Sequence, residues 1–462
     1  MRPPLLLSRT AFAFVAIGFL PGVCFPADTE DTGAALSSYV EQIDDSYAWE
    51  LRRSDLWRGV EFAELKLTSQ TWKDITWKHQ LYLIRPENIR TDGRHALLVI
   101  DGGRWNQRLE QTPSEELPSR AKRYMRIAKR VGTPVAVIRQ VPFQPMFDGM
   151  TEDHIIAFTF DRYLETGDPE WPLLLPMVKS AVRAMDTMQE FSRTHWDTPV
   201  ETFTVAGASK RGWTTWLTGA VDDRVTAIAP IVIDVVNMAP QMEYQEAVWG
   251  SMSEELAPYT ELNLHRRLAS EDGQALRSMV DPYDYLSDLN KPKLIVVGTN
   301  DRYWPLDALN LYWDDLIGQK HVLYIPNNGH GVKDYKRLFG SLNALHYQAA
   351  GSRPALPELD WVFDGEADRV RLEVSSDVRP KKVRAWVARS ANRDFREATW
   401  KSHKFRKDGK FFVYELDLPN DGYLALFGEA TYGKRRERFY LSTNVRIFGA
   451  SVDESPRSDI AP

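Results

Sequence analysis

Cysteine is all but missing from this chain: there is one, Cys24, among 462 residues. A lone thiol closes no internal disulfide, so the fold must be held by its core rather than by covalent staples. Cys-x-x-Cys and His-x-x-x-His spacings are absent as well, so no metal or organic cofactor is implied. Nor does either sign of charge dominate: 58 basic against 64 acidic residues leave a net charge of −6, with no basic stripe for nucleic acid and no acidic tail. No nucleic-acid partner is therefore expected, and a small-molecule or peptide substrate fits. Beyond the N-terminus no apolar run is long enough to cross a bilayer, so no stable membrane span is expected.

What the chain has is length and apolar residues. With 462 residues, 43% of them hydrophobic, it exceeds one ordinary domain and can bury a large core, so two domains are expected. At the N-terminus Arg2 and Arg9 flank an apolar run, Ala11 to Leu20, which is broken by Pro21 and followed by small residues to Ala27. This pattern reads as a secretory signal peptide over residues 1–27, placing the protein in the periplasm or outside the cell. Cys24 falls near the cleavage region; lipidation there is the lesser alternative, because Pro21-Gly22-Val23 matches a lipidation site poorly.

From residue 28 the chain is polar, with helical character around Ala34 to Ile43. Alternating patterns between Leu56 and Ile84 suggest two antiparallel edge strands. Three fully buried strands follow, at Ala96–Ile100, Pro134–Ile138 and Thr202–Ala206, interleaved with helices at about Ser114–Val131 and Leu173–Arg193. Further buried strands at Ala227–Ile233, Lys293–Val297 and His321–Ile325, then a helix at Tyr335–Ala349, continue the alternation. Strands and helices in this order imply an α/β domain over 28–350, a mostly parallel sheet with helices on both faces. The aromatic and acidic segment 238–288 between two of its strands reads as an inserted lid or extra packing. After a Gly/Pro-rich linker at 350–357 the period changes to two, which predicts an antiparallel β-sandwich over 351–450 and a tail at 451–462. Trp386 and Trp400 there leave open a glycan-binding surface, although such residues are more often core or interface positions.

The chemistry gathers around Val200–Ala220, which reads as strand, tight turn and helix with Ser209 at the turn. A serine at such an elbow has its hydroxyl exposed at the sheet's carboxyl end, and small neighbours let two backbones pass closely. The usual spacing is G-x-S-x-G; here the second glycine is Gly212, one place late. Serine needs a base and a group to orient that base. Asp301, after the Leu294–Val297 strand, and His330, between two glycines after Ile325, complete the order Ser, Asp, His, each at the end of its own strand. Asp301 alone could be a turn residue and His330 a surface loop histidine; Asp234 is the alternative acid, and His265, His154 and His79 compete as bases. The Lys210 backbone N–H and the Gly102-Gly103 turn are the candidate oxyanion donors. Lys210 and Arg211 beside the serine could bind an acidic substrate or merely solvate the helix start; positive side chains there run against the helix dipole, which favours a role beyond stability, and Arg211 and Trp304 are the candidate substrate-binding residues.

Four blocks carry a resemblance: Gly207-Ala-Ser-Lys-Arg-Gly-Trp213, Glu152-Asp-His-Ile-Ile156, Pro176 to Asp186, and Gln140-Val-Pro-Phe-Gln-Pro145. Together they resemble the PhoPQ-activated pathogenicity-related (PqaA-like) family of exported bacterial proteins. The resemblance implies an α/β-hydrolase fold with a G-x-S-x-x-G elbow similar to that of glucuronoyl esterases, and an association with resistance to host antimicrobial peptides. The expected activity is that of a serine hydrolase acting on an ester or amide. The alternative is a non-catalytic binding or resistance protein on a hydrolase scaffold, its ligand an antimicrobial peptide or an envelope component.

Overall fold

Helix α1 (Gly33–Glu41) leads into three strands, β1 (Ala48–Leu56), β2 (Val60–Trp72) and β3 (Ile75–Pro86), and then into alternating strands and helices. These are β4 (His95–Ile100), α2 (Ser119–Val131), β5 (Val135–Ile138), α3 (Asp153–Thr166), α4 (Leu174–His195), β6 (Thr202–Ala208), α5 (Lys210–Val221) and β7 (Val225–Ile231). Four helices follow without a strand, α6 (Met238–Trp249), α7 (Ala257–Thr260), α8 (Leu264–Arg267) and α9 (Glu271–Val280), before β8 (Lys293–Gly298), β9 (Lys320–Ile325) and α10 (Tyr335–Ala349). The computed structural model describes residues 33–113, 116–366 and 368–449. The expected signal peptide, Cys24 and the C-terminal tail lie outside the described residues.

The strands line up as β1-β2-β3-β5-β4-β6-β7-β8-β9. The first joins, up to β3 against β5, are antiparallel, and every join from β5 to β9 is parallel. With the edge strand β1 set aside, the order is 1-2-4-3-5-6-7-8 with the second strand reversed, which is the sheet of an α/β-hydrolase. Successive residues of each central strand serve opposite faces. Leu98 and Val205 join the layer beneath α3, α4 and α5, whereas Leu97 and Ala206 join the layer beneath α2 and α10. That double burial is why these strands appear in the sequence as unbroken apolar runs rather than as alternations.

The C-terminal strands are β10 (Leu359–Glu366), β11 (Arg369–Ser376), β12 (Lys382–Ser390), β13 (Lys401–Lys404), β14 (Arg406–Asp408), β15 (Phe411–Asp417), β16 (Tyr423–Tyr432), β17 (Phe439–Ser442) and β18 (Arg446–Phe448). They form the expected sandwich with one difference in its connection to the rest. One of its sheets, β10-β11-β15-β14, is separate, but the other continues the central sheet through β17 beside β9. The joint is a single register pair, Ser442 with Val322, strengthened where the Tyr324 N–H donates to Ser442 Oγ at 3.1 Å. Val370, Leu372 and Val374 of β11 pack in one apolar layer with Ala385, Leu424 and Leu426. The stretch expected to be a bare linker is tied down as well: Leu356 is buried, and its N–H donates to Gln348 Oε1 at 2.7 Å. Trp400 is buried against Phe427, and Arg337 lies over the Trp386 ring, so neither indole offers an open sugar platform.

Candidate active site

Ser209 stands between β6 and α5 with φ 58° and ψ −133°, a conformation that costs a non-glycine residue on the order of 1–3 kcal/mol. Its surroundings impose it. The Ser209 N–H donates to Ile231 O on the neighbouring strand at 2.8 Å, while Gly212 and Trp213 donate to its carbonyl. A Cβ on Gly207 would lie 2.4 Å from Arg211 O, so the strand end and the first helical turn meet only because position 207 is bare. A Cβ on Gly212 would lie 2.6 Å from Ile233 Cγ2 and 3.0 Å from Gly207 O. The late second glycine therefore has a steric reason: in this turn it is residue 212, rather than 211, that faces the strands.

The loops after β8 and β9 meet in the same way. A Cβ on Gly298 would strike the carbonyls of Asn328 and Gly329 at 2.5 and 2.6 Å, and one on Gly329 would approach Asn300 O at 3.0 Å. Gly331 has open space around it, so only one of the two glycines flanking His330 is sterically required. In this closely packed pair of loops His330 Nδ1 hydrogen-bonds Asp301 Oδ2 at 3.0 Å and Oδ1 at 3.2 Å. Asp301 is buried, and its Oδ1 also accepts the Tyr303 N–H at 3.0 Å, while the Tyr303 ring lies 4.2 Å from the imidazole, centroid to centroid. The other imidazole nitrogen, Nε2, is buried and has no hydrogen-bond partner among the described residues.

The C-terminal region braces both loops. Asn300 Nδ2 donates towards the carbonyls of Phe395, Arg396 and Ala398, and Asn327 exchanges two hydrogen bonds with the backbone of Trp400. These asparagines turn a stretch of the sandwich into a wall behind the acid and base loops.

The basic pair after Ser209 does not project freely. Arg211 grips Glu152 with two parallel bonds of 2.8 and 2.9 Å and also donates to Val141 O. Lys210 Nζ lies 3.0 Å from Glu152 Oε2 and 3.1 Å from Asp153 Oδ2. Asp153 accepts in addition the Tyr259 hydroxyl at 3.0 Å. Burial by itself would raise the Glu152 carboxyl, but hydrogen bonding from Arg211 and the charges of Arg211 and Lys210 hold it down at about 2. Two cations that oppose the α5 dipole are thus answered by two carboxylates at the start of α3.

Ser209, Lys210, Asp153 and His330 all line one cavity of about 60 Å³. Much of its wall comes from the segment 238–288, through Met238, Met242, Met252, Leu256 and Tyr259, and Trp304 closes it near the acid loop.

A family model described as PhoPQ-activated pathogenicity-related protein matches residues 36–396. The chain belongs to that family. A similar relative is the Autocrine proliferation repressor protein A of Dictyostelium discoideum, 29% identical over 435 residues that cover 86% of this chain and 85% of the relative. Among solved structures, acetyl xylan esterase 1 from Thermoanaerobacterium sp. JW/SL YS485 is similar at 14% identity and TM-score 0.46, over 70% of this chain and 93% of that one. A glucuronoyl esterase from Solibacter usitatus is similar at 13% identity and TM-score 0.40, over 69% of this chain and 93% of that one.

In this member of the PhoPQ-activated family the remaining candidate residues are placed unevenly. Trp304 lines the cavity with Ser209, as a substrate contact would. Arg211 is spent on Glu152 and does not line the cavity. The Gly102 N–H donates to Asp101 Oδ1 at 2.9 Å, and a Cβ there would lie 2.5 Å from the Arg211 guanidinium. Gly102 therefore makes room for Arg211, Gly103 lies against Arg139, and neither glycine lines the cavity. Asp234 is bonded by the Tyr312 hydroxyl at 2.7 Å, not by His330; burial first, then nearby Asp301 and Asp307, push its carboxyl up to about 7. His79 is buried between Ser69 and Arg139 O, His154 is exposed on α3, and His265 lines the cavity from the far wall. Sequence reasoning missed the roles of Glu152, Asp153, Tyr259, Asn300 and Asn327. Its pointers to the first two were the awkward position of Lys210 and Arg211 at a helix N-terminus and the Glu152-Asp-His-Ile-Ile156 block of the family resemblance, neither of which gave the pairing. Among the described residues no cluster of potential ligands could hold a metal ion, and no helix is long and apolar enough to cross a membrane.

Proposed function

We propose that this protein is an exported serine hydrolase that cleaves an ester or amide bond with Ser209 as nucleophile, His330 as base and then acid, and Asp301 as the group that orients the imidazole. The observation that carries the reading is the asymmetry of His330. Its Nδ1 is held by Asp301, while its buried Nε2 has no hydrogen-bond partner among the described residues and the ring lines the cavity that Ser209 also lines. A nitrogen so placed is free to accept a hydroxyl proton.

In the acylation step Ser209 Oγ attacks the carbonyl carbon and its proton passes to Nε2. The bond to the leaving alcohol or amine breaks, and that group takes the proton from Nε2. Water then attacks the acyl-serine and delivers its own proton to Nε2. The Ser209 ester bond breaks, the proton returns to Oγ, and a carboxylic acid departs. The Lys210 backbone N–H, first in α5, is aligned with the helix N-terminus and supplies one donor to the oxyanion.

A fluorophosphonate probe is expected to label the folded wild type on Ser209 and to leave Ser209→Ala unlabelled. Folded wild-type protein that takes up no probe would overturn the proposal in favour of a binding protein on an inactive scaffold. Export rests on the Arg2, Ala11–Leu20 and Ala27 pattern. Intact mass of protein recovered from the periplasm or medium is expected to match a chain beginning after Ala27 or Cys24, and an uncleaved N-terminus would refute it.

A further inference from the structure

We infer that the cavity beside Ser209 takes an uncharged apolar group, so that the substrates are neutral esters or amides with an aliphatic or aromatic moiety rather than substrates that carry a charge at that position. The inference rests on the hydrolase reading above and adds the chemical class of substrate.

Three observations support it. The first is the wall: Met238 and Met242 of α6, Met252, Leu256, Phe160 and Trp213 surround the space with carbon and sulfur. Methionine fills such a surface without fixing its shape, so the chamber adapts to chains of differing length better than it would if lined by branched residues.

The second is the state of its charges. Lys210, the cation nearest Ser209 in sequence, is only 6% exposed and is already neutralised by Glu152 and Asp153. Arg211 balances Glu152, and the Tyr259 hydroxyl satisfies Asp153. Two carboxylates thus face two cations with no charge left over. An anionic ligand would have to break Lys210 away from its partners, and a cationic one would compete with Lys210 for Asp153. His265 offers no alternative, because burial and then Arg266 push its imidazole below the usual value. A charge carried into this chamber would lose its water and gain no counter-ion, which is unfavourable whichever its sign.

The third is how the wall is fixed. Tyr259 of α7 bonds Asp153 of α3, Gln245 Nε2 donates to Tyr303 O at 2.9 Å, and Ser253 Oγ donates to Arg302 O at 2.6 Å. The apolar helices are thereby attached to the start of α3 on one side and to the Asp301 loop on the other. The chamber wall and the charge cluster consequently form one unit, and the apolar lining belongs to the same site as Ser209.

The test compares two p-nitrophenyl esters of equal acyl length, the hexanoate and the hemiadipate, which differ by a terminal carboxylate. The wild-type protein is expected to favour the hexanoate in kcat/KM by about 10²-fold, a discrimination of the size set by leaving a buried charge unpaired. Met242→Lys, at a half-buried wall position from which the amine can reach solvent, is expected to lower that ratio at least tenfold by supplying a counter-ion. Hemiadipate turned over as well as hexanoate, with both activities lost in Ser209→Ala, would overturn the inference and leave the hydrolase reading intact. No turnover of either ester together with no fluorophosphonate labelling would overturn both. The wild-type ratio decides the matter even if the lysine variant does not fold.

Discussion

Asp301→Asn is expected to lower kcat on any ester substrate by about 10⁴-fold while leaving the thermal midpoint and KM close to wild type. The reason is geometric. Asp301 accepts His330 Nδ1 through both oxygens and the Tyr303 N–H through one. Asparagine keeps the size of the side chain and the oxygen that Tyr303 requires. The amide nitrogen then faces His330 Nδ1 as a donor, so Nδ1 must become the acceptor and the single imidazole proton moves to Nε2. A protonated Nε2 cannot take the proton of Ser209. Steady-state kinetics alongside a melting curve would check this, and a loss below tenfold in a folded variant would remove Asp301 from the reaction. Asp234→Asn is the matched control, because Asp234 is another buried carboxyl near these loops and meets Tyr312 instead of the imidazole. Burial, and then the charges of Asp301 and Asp307, push its carboxyl up to about 7. An amide there keeps an oxygen for the Tyr312 hydroxyl and leaves the His330–Asp301 contact untouched, so it should cost less than tenfold.

The contrast between these two aspartates marks what could be read from the sequence. Both sit just after buried strands, and strand ends are legible because doubly buried strands are continuous apolar runs. Ser209, Asp301 and His330 were singled out as candidates through that signal, and so were the strands of the central sheet from β4 to β9. What distinguishes Asp301 from Asp234 is a contact with residue 330, and no local period encodes a contact across a sheet. The same limit hid β1, whose charged sequence Glu50-Leu-Arg-Arg-Ser-Asp55 pairs with β2 at the edge and is half exposed. It also hid the continuation of the sheet from β9 into β17, where one register pair and a serine hydroxyl make the joint. Asn300 and Asn327 look like ordinary turn residues in the sequence, and their bonds to residues 395–400 connect positions almost a hundred places apart in one case. The Gly102-Gly103 turn reads as an oxyanion loop because a glycine pair follows a strand, and no local pattern signals that Gly102 faces the Arg211 guanidinium.

Arg211 is also where the largest effect on stability is expected. Arg211→Met should lower the free energy of unfolding by about 2–3 kcal/mol, somewhat less than the 3–5 typical of breaking a fully enclosed pair. The guanidinium is 11% exposed, but its partner Glu152 retains 40% of its side-chain exposure and therefore some solvent. Glu152 would also keep Lys210 at 3.0 Å and the Gln144 amide at 2.6 Å, whereas Val141 O would lose its donor. Lysine should not rescue the site, because a single ammonium cannot reproduce two parallel bonds to one carboxylate and a third to a carbonyl. Urea unfolding at constant slope would measure the loss, and a change under about 0.5 kcal/mol would mean the pair contributes no more than an exposed one. Acid titration supplies an independent readout. The Glu152 carboxyl is held at about 2 in the folded chain, below its ordinary value, so its contribution is complete above the unfolded value near 4.3 and disappears as pH falls towards 2. Removing Arg211 takes away the largest of the influences that lower it. The acid limb of the stability curve between about pH 4.5 and 2 should therefore flatten in Arg211→Met, although the variant is weaker at every pH above it.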